Sequence, residues 1–225
     1  MKLMILRHVE SVKNIIKSFS SVRDEFSLTE EGINVGKKLA KAIKIYMQKY
    51  NLHCSAIHIA NSVRARETAK LINQEITCPQ IIEWDDLRST KSGVLLGKTE
   101  TEAKTINPIF IEQLKLFRCG LFSSYNFEKI HEKEDKKDFE RRVITCLTTI
   151  LNDETDSFKI IIVHHSTLTA IMIHFARLYY NYPNDFYGKV DCDVGNFYLL
   201  DINKNSGVIE LSNASYSELM NYVIE

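Results

Sequence analysis

The sequence has few of the residues that mark flexible linkers or disulfide scaffolds. Its 225 residues include three prolines and eight glycines, and no low-complexity segment or internal repeat interrupts it. The five cysteines are scattered and form no Cys-x-x-Cys pair, which favours reduced thiols in a cytoplasmic protein over a disulfide framework. A chain of this length fits one domain, or one domain with a sizeable insertion.

An excess of charge and a long apolar run are also lacking. The 29 basic and 29 acidic residues balance, so bulk charge gives no support for binding to nucleic acid or to a membrane surface. No apolar run approaches the roughly 18 to 20 residues that a membrane-spanning helix needs. The N-terminus leads directly into an apolar strand rather than a signal-peptide pattern. Any anion-binding site must therefore be local.

Apolar strands alternate with amphipathic helices along most of the chain, which predicts an α/β fold with a mainly parallel sheet. The apolar runs predict strands at 2–6, 56–60, 80–83 and 159–163, and a terminal hairpin over 196–201 and 208–211. Helices are expected from Ser27 or Thr29 to about 50, over 63–74 and 138–151, and from 165 to about 179. The run at 80–83 is expected to be an edge strand, and 159–163 a central one.

Residues 88 to about 135 break this alternation. They contain scattered glycines, Pro108 and a charged run at 131–137, and we interpret them as a partly helical, cap-like excursion over the end of the sheet. The sequence thus predicts one domain over 1–225 with this excursion inserted. The aromatic residues of the excursion either line a substrate pocket or form a small core of their own; they are Phe110, Phe117, Phe122, Tyr125 and Phe127.

Three predicted strands lead into basic or imidazole side chains. Arg7 and His8 follow the first strand, Arg64 comes shortly after the second, and His164 follows the central strand. Because parallel strands place their carboxyl ends side by side, these four residues can converge. Guanidinium groups bind phosphate oxygens in a bidentate manner, and a neutral imidazole can act as a nucleophile. The pattern favours a cage for a tetrahedral phosphate.

Several motifs resemble those of the histidine phosphatase superfamily, phosphoglycerate mutase-like branch. Residues 7–14 read Arg-His-Val-Glu-Ser-Val-Lys-Asn, similar to the family's Arg-His-Gly-x-Thr/Ser-x-x-Asn. Residues 28–32 (Leu-Thr-Glu-Glu-Gly), 64–69 (Arg-Ala-Arg-Glu-Thr-Ala) and 139–143 (Phe-Glu-Arg-Arg-Val) resemble further family motifs. The resemblance covers about residues 3–200. It implies a three-layer sandwich with a mainly parallel central sheet flanked by helices.

The resemblance also implies an activity, which is metal-independent hydrolysis of a phosphomonoester through a phosphohistidine on His8. Arg7, Arg64 and His164 would hold the phosphate, with Ser11 and Asn14 as supporting donors. Arg64 rather than Arg66 would face the phosphate. No cofactor is expected. The expected partner is a phosphorylated substrate, a small molecule ahead of a phosphoprotein, and a homodimer is compatible with the sequence.

The sequence departs from the family pattern at positions close to the expected site. Val9 replaces the motif glycine, which predicts a narrower pocket floor, and Ala60-Asn61 replaces a serine. Ser89 stands where the family typically has a glutamate that protonates the leaving oxygen. His165, in the place of an acid-phosphatase aspartate, is a candidate replacement donor because an imidazole titrates near neutral pH. Other candidates are Glu10, Asp85, Asp86 and Glu102.

Three alternative functions remain open from the sequence. The departures at 9, 89 and 165 suit a scaffold or a module that binds phosphorylated ligands with impaired turnover. A phosphoglycerate mutase is a second alternative, because residues 112–118 resemble a mutase helix in which Arg118 would contact a substrate carboxylate or second phosphate. A metal-dependent hydrolase is a third, although no group of histidines and cysteines has a typical ligand spacing.

Overall fold

The computed structural model describes residues 1–19, 26–123, 126–153, 157–180, 190, 192–202, 209–215 and 217–220. In these ranges the strands are β1 (Lys2–Arg7), β2 (Ala56–Ala60), β3 (Gln80–Trp84), β4 (Phe158–Val163), β5 (Phe197–Ile202) and β6 (Ile209–Ala214). They form one sheet in the order β3-β2-β4-β1-β5-β6. The first four strands of that order are parallel, and β5 and β6 are antiparallel to their neighbours. The predicted edge strand, central strand and terminal hairpin are confirmed, and residues 203–208 of the hairpin turn lie outside the described residues.

Helices cover both faces of this sheet. In the described residues they are α1 (Val12–Ile16), α2 (Glu30–Lys49), α3 (Val63–Ile76), α4 (Glu100–Ile106), α5 (Pro108–Arg118), α6 (Lys136–Asn152) and α7 (His165–Tyr180). Helix α2 packs on α3, and α6 packs on α7. Helices α2 and α3 connect β1 to β2 and β2 to β3, whereas α6 connects β3 back to β4 in the opposite direction along the sheet. Right-handed connections therefore place α6, and α7 packed on it, on the face opposite α2 and α3. The predicted three-layer α/β sandwich is confirmed.

The core lies on both sides of the three central strands. Every residue of β2 and β4 is buried, as are the four inner residues of β1, which explains their nearly continuous aliphatic sequences. The N-terminus of α2 is capped by Thr29, whose Oγ1 accepts a hydrogen bond from the Gly32 amide at 2.9 Å. Thr29 therefore caps the helix, and Ser27 does not. No helix in the described ranges is long and apolar enough to cross a membrane.

The segment between β3 and α6 contains α4 and α5 and encloses a second, smaller core. Thr99 and Glu102 form a capping box on α4, and Pro108 occupies the first turn of α5, where its missing amide costs nothing. The buried residues of this core are Leu95, Ala103, Phe110, Ile111 and Ile130, with Phe19, Leu114 and Phe127 packed against them. The aromatic residues thus serve in part as a local core; Tyr125 lies outside the described residues.

Candidate active site

The carboxyl ends of β1 and β4 bring the predicted cationic and imidazole residues together. Arg7 ends β1, and the His8 amide donates to the Val163 carbonyl of the adjacent β4 at 3.1 Å. Gly195, with a φ of +79° that favours glycine, donates its amide to the carbonyls of both Arg7 and His8 at 3.1 Å. His164 follows β4 directly. The backbone after β1 is therefore held in place from two sides.

The imidazole of His8 has a fixed orientation and a defined tautomer. Its Nδ1 lies 2.8 Å from the Val9 carbonyl oxygen, which can only accept, so Nδ1 carries the proton. Its Nε2 lies 2.9 Å from Nε of Arg64 and accepts that hydrogen bond. The residue is only 3% exposed. Because the neutral ring keeps its lone pair on Nε2, this nitrogen is the one that can act as a nucleophile.

Arg64 lies between the two imidazoles of the site. It is in the first turn of α3 and is 2% exposed. Its Nη2 donates to Nδ1 of His164 at 3.0 Å, which leaves the proton of that neutral ring on Nε2. The ring centroids of His8 and His164 are 5.2 Å apart. Arg66 points away from the site and forms a bidentate pair with Glu83 at 2.6 and 2.7 Å.

The surroundings keep both imidazoles neutral. Burial and the Arg64 guanidinium hold the pKa of His8 well below its usual value, and Arg7 and Lys13 lower it further. Burial and Arg64 likewise hold the pKa of His164 well below the usual value. A neutral His8 is the form that can attack phosphorus, and a neutral His164 can donate its Nε2 proton to a phosphate oxygen.

These low pKa values predict that the protein loses stability on acidification. Below about pH 6.5 the unfolded chain protonates these histidines while the folded protein does not, so each contributes a loss of about 1.4 kcal/mol per pH unit until its folded pKa is reached. Urea denaturation at pH 7.5 and 5.5 measures the effect. We expect His164→Gln to reduce the stability difference between the two pH values by about 1 kcal/mol or more. Exposed His53 supplies the control His53→Gln, and equal reductions in both variants would contradict the assignment.

Arg7, His8, Arg64 and His164 line a cleft of about 1000 Å³. Asn14, Ser89, Arg118 and His165 also line it. Ser11 lies behind Asn14, and both its amide (2.9 Å) and its hydroxyl (2.7 Å) donate to the Asn14 side-chain oxygen. Ser11 thus orients Asn14 and does not line the cleft.

Most of the remaining predicted residues also line this cleft. The Nη1 of Arg7 donates to the Cys192 carbonyl at 2.7 Å, which fixes the position of the guanidinium. Arg118 forms an ion pair with Glu100, another cleft residue. His165 is the first residue of α7 and lies on the wall. The expectation that Val9 narrows the pocket floor is wrong: its side chain is packed in the main core, away from the cleft.

Sequence reasoning missed four charged residues of the cleft, namely Lys13, Lys17, Glu100 and Asp193. Lys13 lies on α1 and is only 8% exposed, and Lys17 caps the C-terminus of that helix. The available sequence signal for these two lysines was their position, four residues apart, shortly after the end of a predicted strand. Asp193 reaches the cleft because β5 pairs with β1 in the antiparallel sense, so its preceding loop arrives at the carboxyl end of β1. That placement had no local sequence signal.

No group of three or more potential metal-ligating side chains lies together in the described part of the chain. The fold and site define an α/β protein with a buried, histidine-containing cationic cleft at the carboxyl edge of its sheet. The chain belongs to the histidine phosphatase superfamily (branch 1), whose family model matches residues 3–215. Its phosphoglycerate mutase-like fold agrees with the sequence-based expectation.

Known proteins with related sequences or structures include some that carry phosphatase names. The Schizosaccharomyces pombe protein "Probable phosphatase C1620.13" is 33% identical over 94 residues, which are 42% of this chain and 31% of that protein. The Bacillus stearothermophilus protein YhfR superposes with a TM-score of 0.74 at 20% identity, over 96% of this chain and 98% of its own. Mycobacterial glucosyl-3-phosphoglycerate phosphatase Rv2419c, in a complex with VO3, superposes with a TM-score of 0.72 at 16% identity, over 95% and 97%.

Proposed function

We propose that this protein is a metal-independent phosphomonoester phosphatase that transfers the phosphoryl group to Nε2 of His8. The observation that carries this proposal is the fixed tautomer of His8. The Val9 carbonyl holds the proton on Nδ1, so the lone pair on Nε2 faces the guanidinium that would hold the phosphate. The guanidinium of Arg64 and the imidazole of His164 lie beside this nitrogen. A buried histidine with only a structural role would require neither group.

The reaction consists of two displacements at phosphorus. In the first, the Nε2 lone pair forms a nitrogen–phosphorus bond while the bond to the ester oxygen breaks, and the leaving oxygen takes a proton. In the second, water attacks phosphorus, the nitrogen–phosphorus bond breaks, and its electron pair returns to Nε2 as phosphate forms. A proton from the water restores the donor used in the first step.

The surrounding side chains divide the work of holding the phosphate. Arg64 exchanges its hydrogen bond with His8 for one with a phosphate oxygen, which frees the lone pair for attack. Arg7 and the Nε2 proton of His164 bind the other oxygens, and Asn14 adds a donor at the floor of the cleft. Fixed positive charge of this kind stabilises the equatorial oxygens in the transition state and needs no reorganisation.

His165 is the proposed proton donor for the leaving oxygen. Ser89, at the usual position of the acid, has no proton acidic enough for this role, whereas His165 lines the same cleft. General-acid assistance is worth about a hundred- to ten-thousand-fold. Small phosphorylated compounds are the proposed substrates, which agrees with the mycobacterial neighbour, named for a sugar-linked phosphoglycerate.

Trapping of the phosphoenzyme tests this function. The native protein is mixed with excess p-nitrophenyl phosphate in the presence of EDTA and quenched in base within one turnover. We expect base-stable, acid-labile phosphate on His8, and phosphorus NMR of the isolated peptide is expected to show Nε2 phosphohistidine. Phosphate on Nδ1, on another residue, or a requirement for metal would contradict the mechanism.

Ser89 favours one alternative, a module that binds phosphate without turnover. The same experiment separates the two functions, because such a module binds inorganic phosphate in calorimetry yet gives no label and no p-nitrophenol. A phosphoglycerate mutase is less well supported, since Glu100 already occupies the guanidinium of Arg118 that would bind a second acidic group.

A further inference from the structure

A second, more enclosed cavity of about 220 Å³ joins the cleft on the side of α5. We call it the side cavity. It shares eight lining residues with the cleft, namely Phe19, Thr90, Ser92, Phe117, Arg118, His165, Ser166 and Thr169. Because both spaces meet at His165, a group in the side cavity is continuous with the place where the leaving oxygen of a phosphate ester would be released.

The surface of the side cavity is mainly apolar, although eight of its lining side chains are polar or charged. Its phenylalanines are Phe19, Phe110, Phe117, Phe127 and Phe139, joined by Leu95 and Leu114. The rings of Phe110 and Phe117 pack edge to face on the ring of Phe127, with centroids 5.3 and 5.5 Å from its centroid. These contacts hold the rings of the wall in fixed positions. An apolar cavity of roughly 150 Å³ accommodates benzene. The side cavity therefore has room for one aromatic ring.

Polar groups in this cavity lie where an aromatic ester would meet them. The Thr169 side chain is 5% exposed, and its hydroxyl has no hydrogen-bond partner in the described part of the chain; the same is true of the buried Ser166 hydroxyl. An unsatisfied buried hydroxyl costs about 1–3 kcal/mol, which a bound ester oxygen or water would relieve. The ammonium of Lys133 lies over Phe110 and Phe127, 5.8 and 5.9 Å from their centroids.

This composition discriminates among phosphate esters. Sugar or glycerol hydroxyls would pair only where they reach polar side chains such as Ser166 and Thr169, and each hydroxyl left against the phenylalanines is costly to bury. An aromatic ring has no such cost and gains from the phenylalanines and from the cation of Lys133. A phenol also leaves more readily than an aliphatic alcohol, because its pKa is near 10. That property suits a site with Ser89 in place of a carboxylic acid.

We propose that the side cavity binds the leaving group of the substrate and that the substrate class is aryl phosphates, monoesters of a phenol with a single ring. The proposal rests on the proposed function, since it places the ester oxygen beside His165 and the phosphate beside His8. It assigns substrate selection to the segment between β3 and α6.

Three esters separate the contribution of the cavity from that of leaving-group acidity. Benzyl, cyclohexylmethyl and glycerol phosphates all release an aliphatic alcohol, so differences in kcat/KM among them report on binding of the leaving group. We expect kcat/KM for benzyl phosphate to be at least tenfold higher than for glycerol phosphate, which is the scale for burying one aromatic ring. It is expected to be a few-fold higher than for cyclohexylmethyl phosphate, which lacks the aromatic ring. Phenyl phosphate is expected to exceed all three.

Filling the side cavity provides the matched variant. Leu114 lines the side cavity without lining the cleft, so Leu114→Trp is expected to reduce the ratio of kcat/KM for benzyl phosphate to that for glycerol phosphate at least fivefold. Ile109→Trp, at an exposed position on the same helix, is the control and is expected to keep the native preference. Circular dichroism checks that both variants are folded.

The outcomes distinguish this inference from the proposed function. Equal kcat/KM for benzyl and glycerol phosphates, or an unchanged preference in Leu114→Trp, would overturn the aryl assignment while hydrolysis itself stands. If no ester is hydrolysed, the proposed function fails, and calorimetry with benzylphosphonate and methylphosphonate then decides on the cavity. If the native protein binds benzylphosphonate at least tenfold more tightly than methylphosphonate, and Leu114→Trp loses this difference, the cavity assignment is supported. Equal binding of the two phosphonates by the native protein overturns it.

Discussion

Replacing Arg64 with lysine is expected to lower kcat/KM for p-nitrophenyl phosphate by about a thousandfold or more, the scale of an arginine that stabilises a phosphoryl transition state. Arg64 contacts His8 through Nε at 2.9 Å and His164 through Nη2 at 3.0 Å. The single ammonium of lysine cannot reproduce two contacts from one rigid plane. Because Arg64 is 2% exposed, water does not readily take its place.

Arg66 provides the matched control for this experiment. It lies two residues further along α3 and pairs with Glu83 outside the cleft, so Arg66→Lys is expected to keep kcat/KM within about twofold. Both variants keep their net charge, and the same steady-state assay measures them. An Arg64→Lys protein with more than a tenth of native activity would mean that the guanidinium does not contact the transferred phosphoryl group.

Replacing Gly32 with alanine is expected to lower the free energy of unfolding by about 2–3 kcal/mol, although alanine is the better helix former. A methyl group at this position of α2 would lie well inside van der Waals contact with the Glu10 carbonyl oxygen. That carbonyl also accepts the Thr29 amide at 3.1 Å. A backbone atom held in this way cannot move aside cheaply, so the loop after His8 or the start of α2 must shift.

Gly36, one turn later on α2, is the control. A methyl group there would approach Cδ1 of Leu71 to 2.7 Å, and the end of a half-buried leucine can rotate away. Gly36→Ala is therefore expected to change stability by less than about 1 kcal/mol, with the gain in helix propensity offsetting the contact. Urea denaturation measures both variants, and equal effects would contradict the proposed clash. Activity of Gly32→Ala is expected to fall as well, because Glu10 is two residues from His8.

The same contacts give a physical reason for the motif at residues 28–32. Thr29 caps α2 and also donates its hydroxyl to the Glu10 carboxylate at 2.7 Å, while Gly32 leaves space for the Glu10 backbone. The Leu-Thr-x-x-Gly pattern thus supports the loop that holds His8 rather than contacting substrate. Thr68 has a comparable role, because its Oγ1 accepts the Val9 amide at 3.4 Å and donates to the Arg64 carbonyl at 2.7 Å.

Most strands and helices could be predicted because their signals are local. The aliphatic runs of β1, β2 and β4 and the helical periodicity of α2, α3 and α6 depend only on neighbouring residues. Convergence of Arg7, His8, Arg64 and His164 could also be predicted, since all four follow the carboxyl ends of parallel strands. The direction of Val9 could not, because it depends on packing against Gly36 of α2 and against Gly195, which lie far from it along the chain.

The sequence by itself determined the α/β class, the order of its elements and the four residues at the centre of the site, because these follow from periodicity, strand ends and local motifs. Only the tertiary structure decided the tautomer of His8, the bridge that Arg64 forms between two imidazoles, and the side cavity. The reason is physical. Each depends on distances between atoms that lie far apart along the chain, such as Arg64 and His164 or Phe19 and Phe110, and packing alone sets those distances.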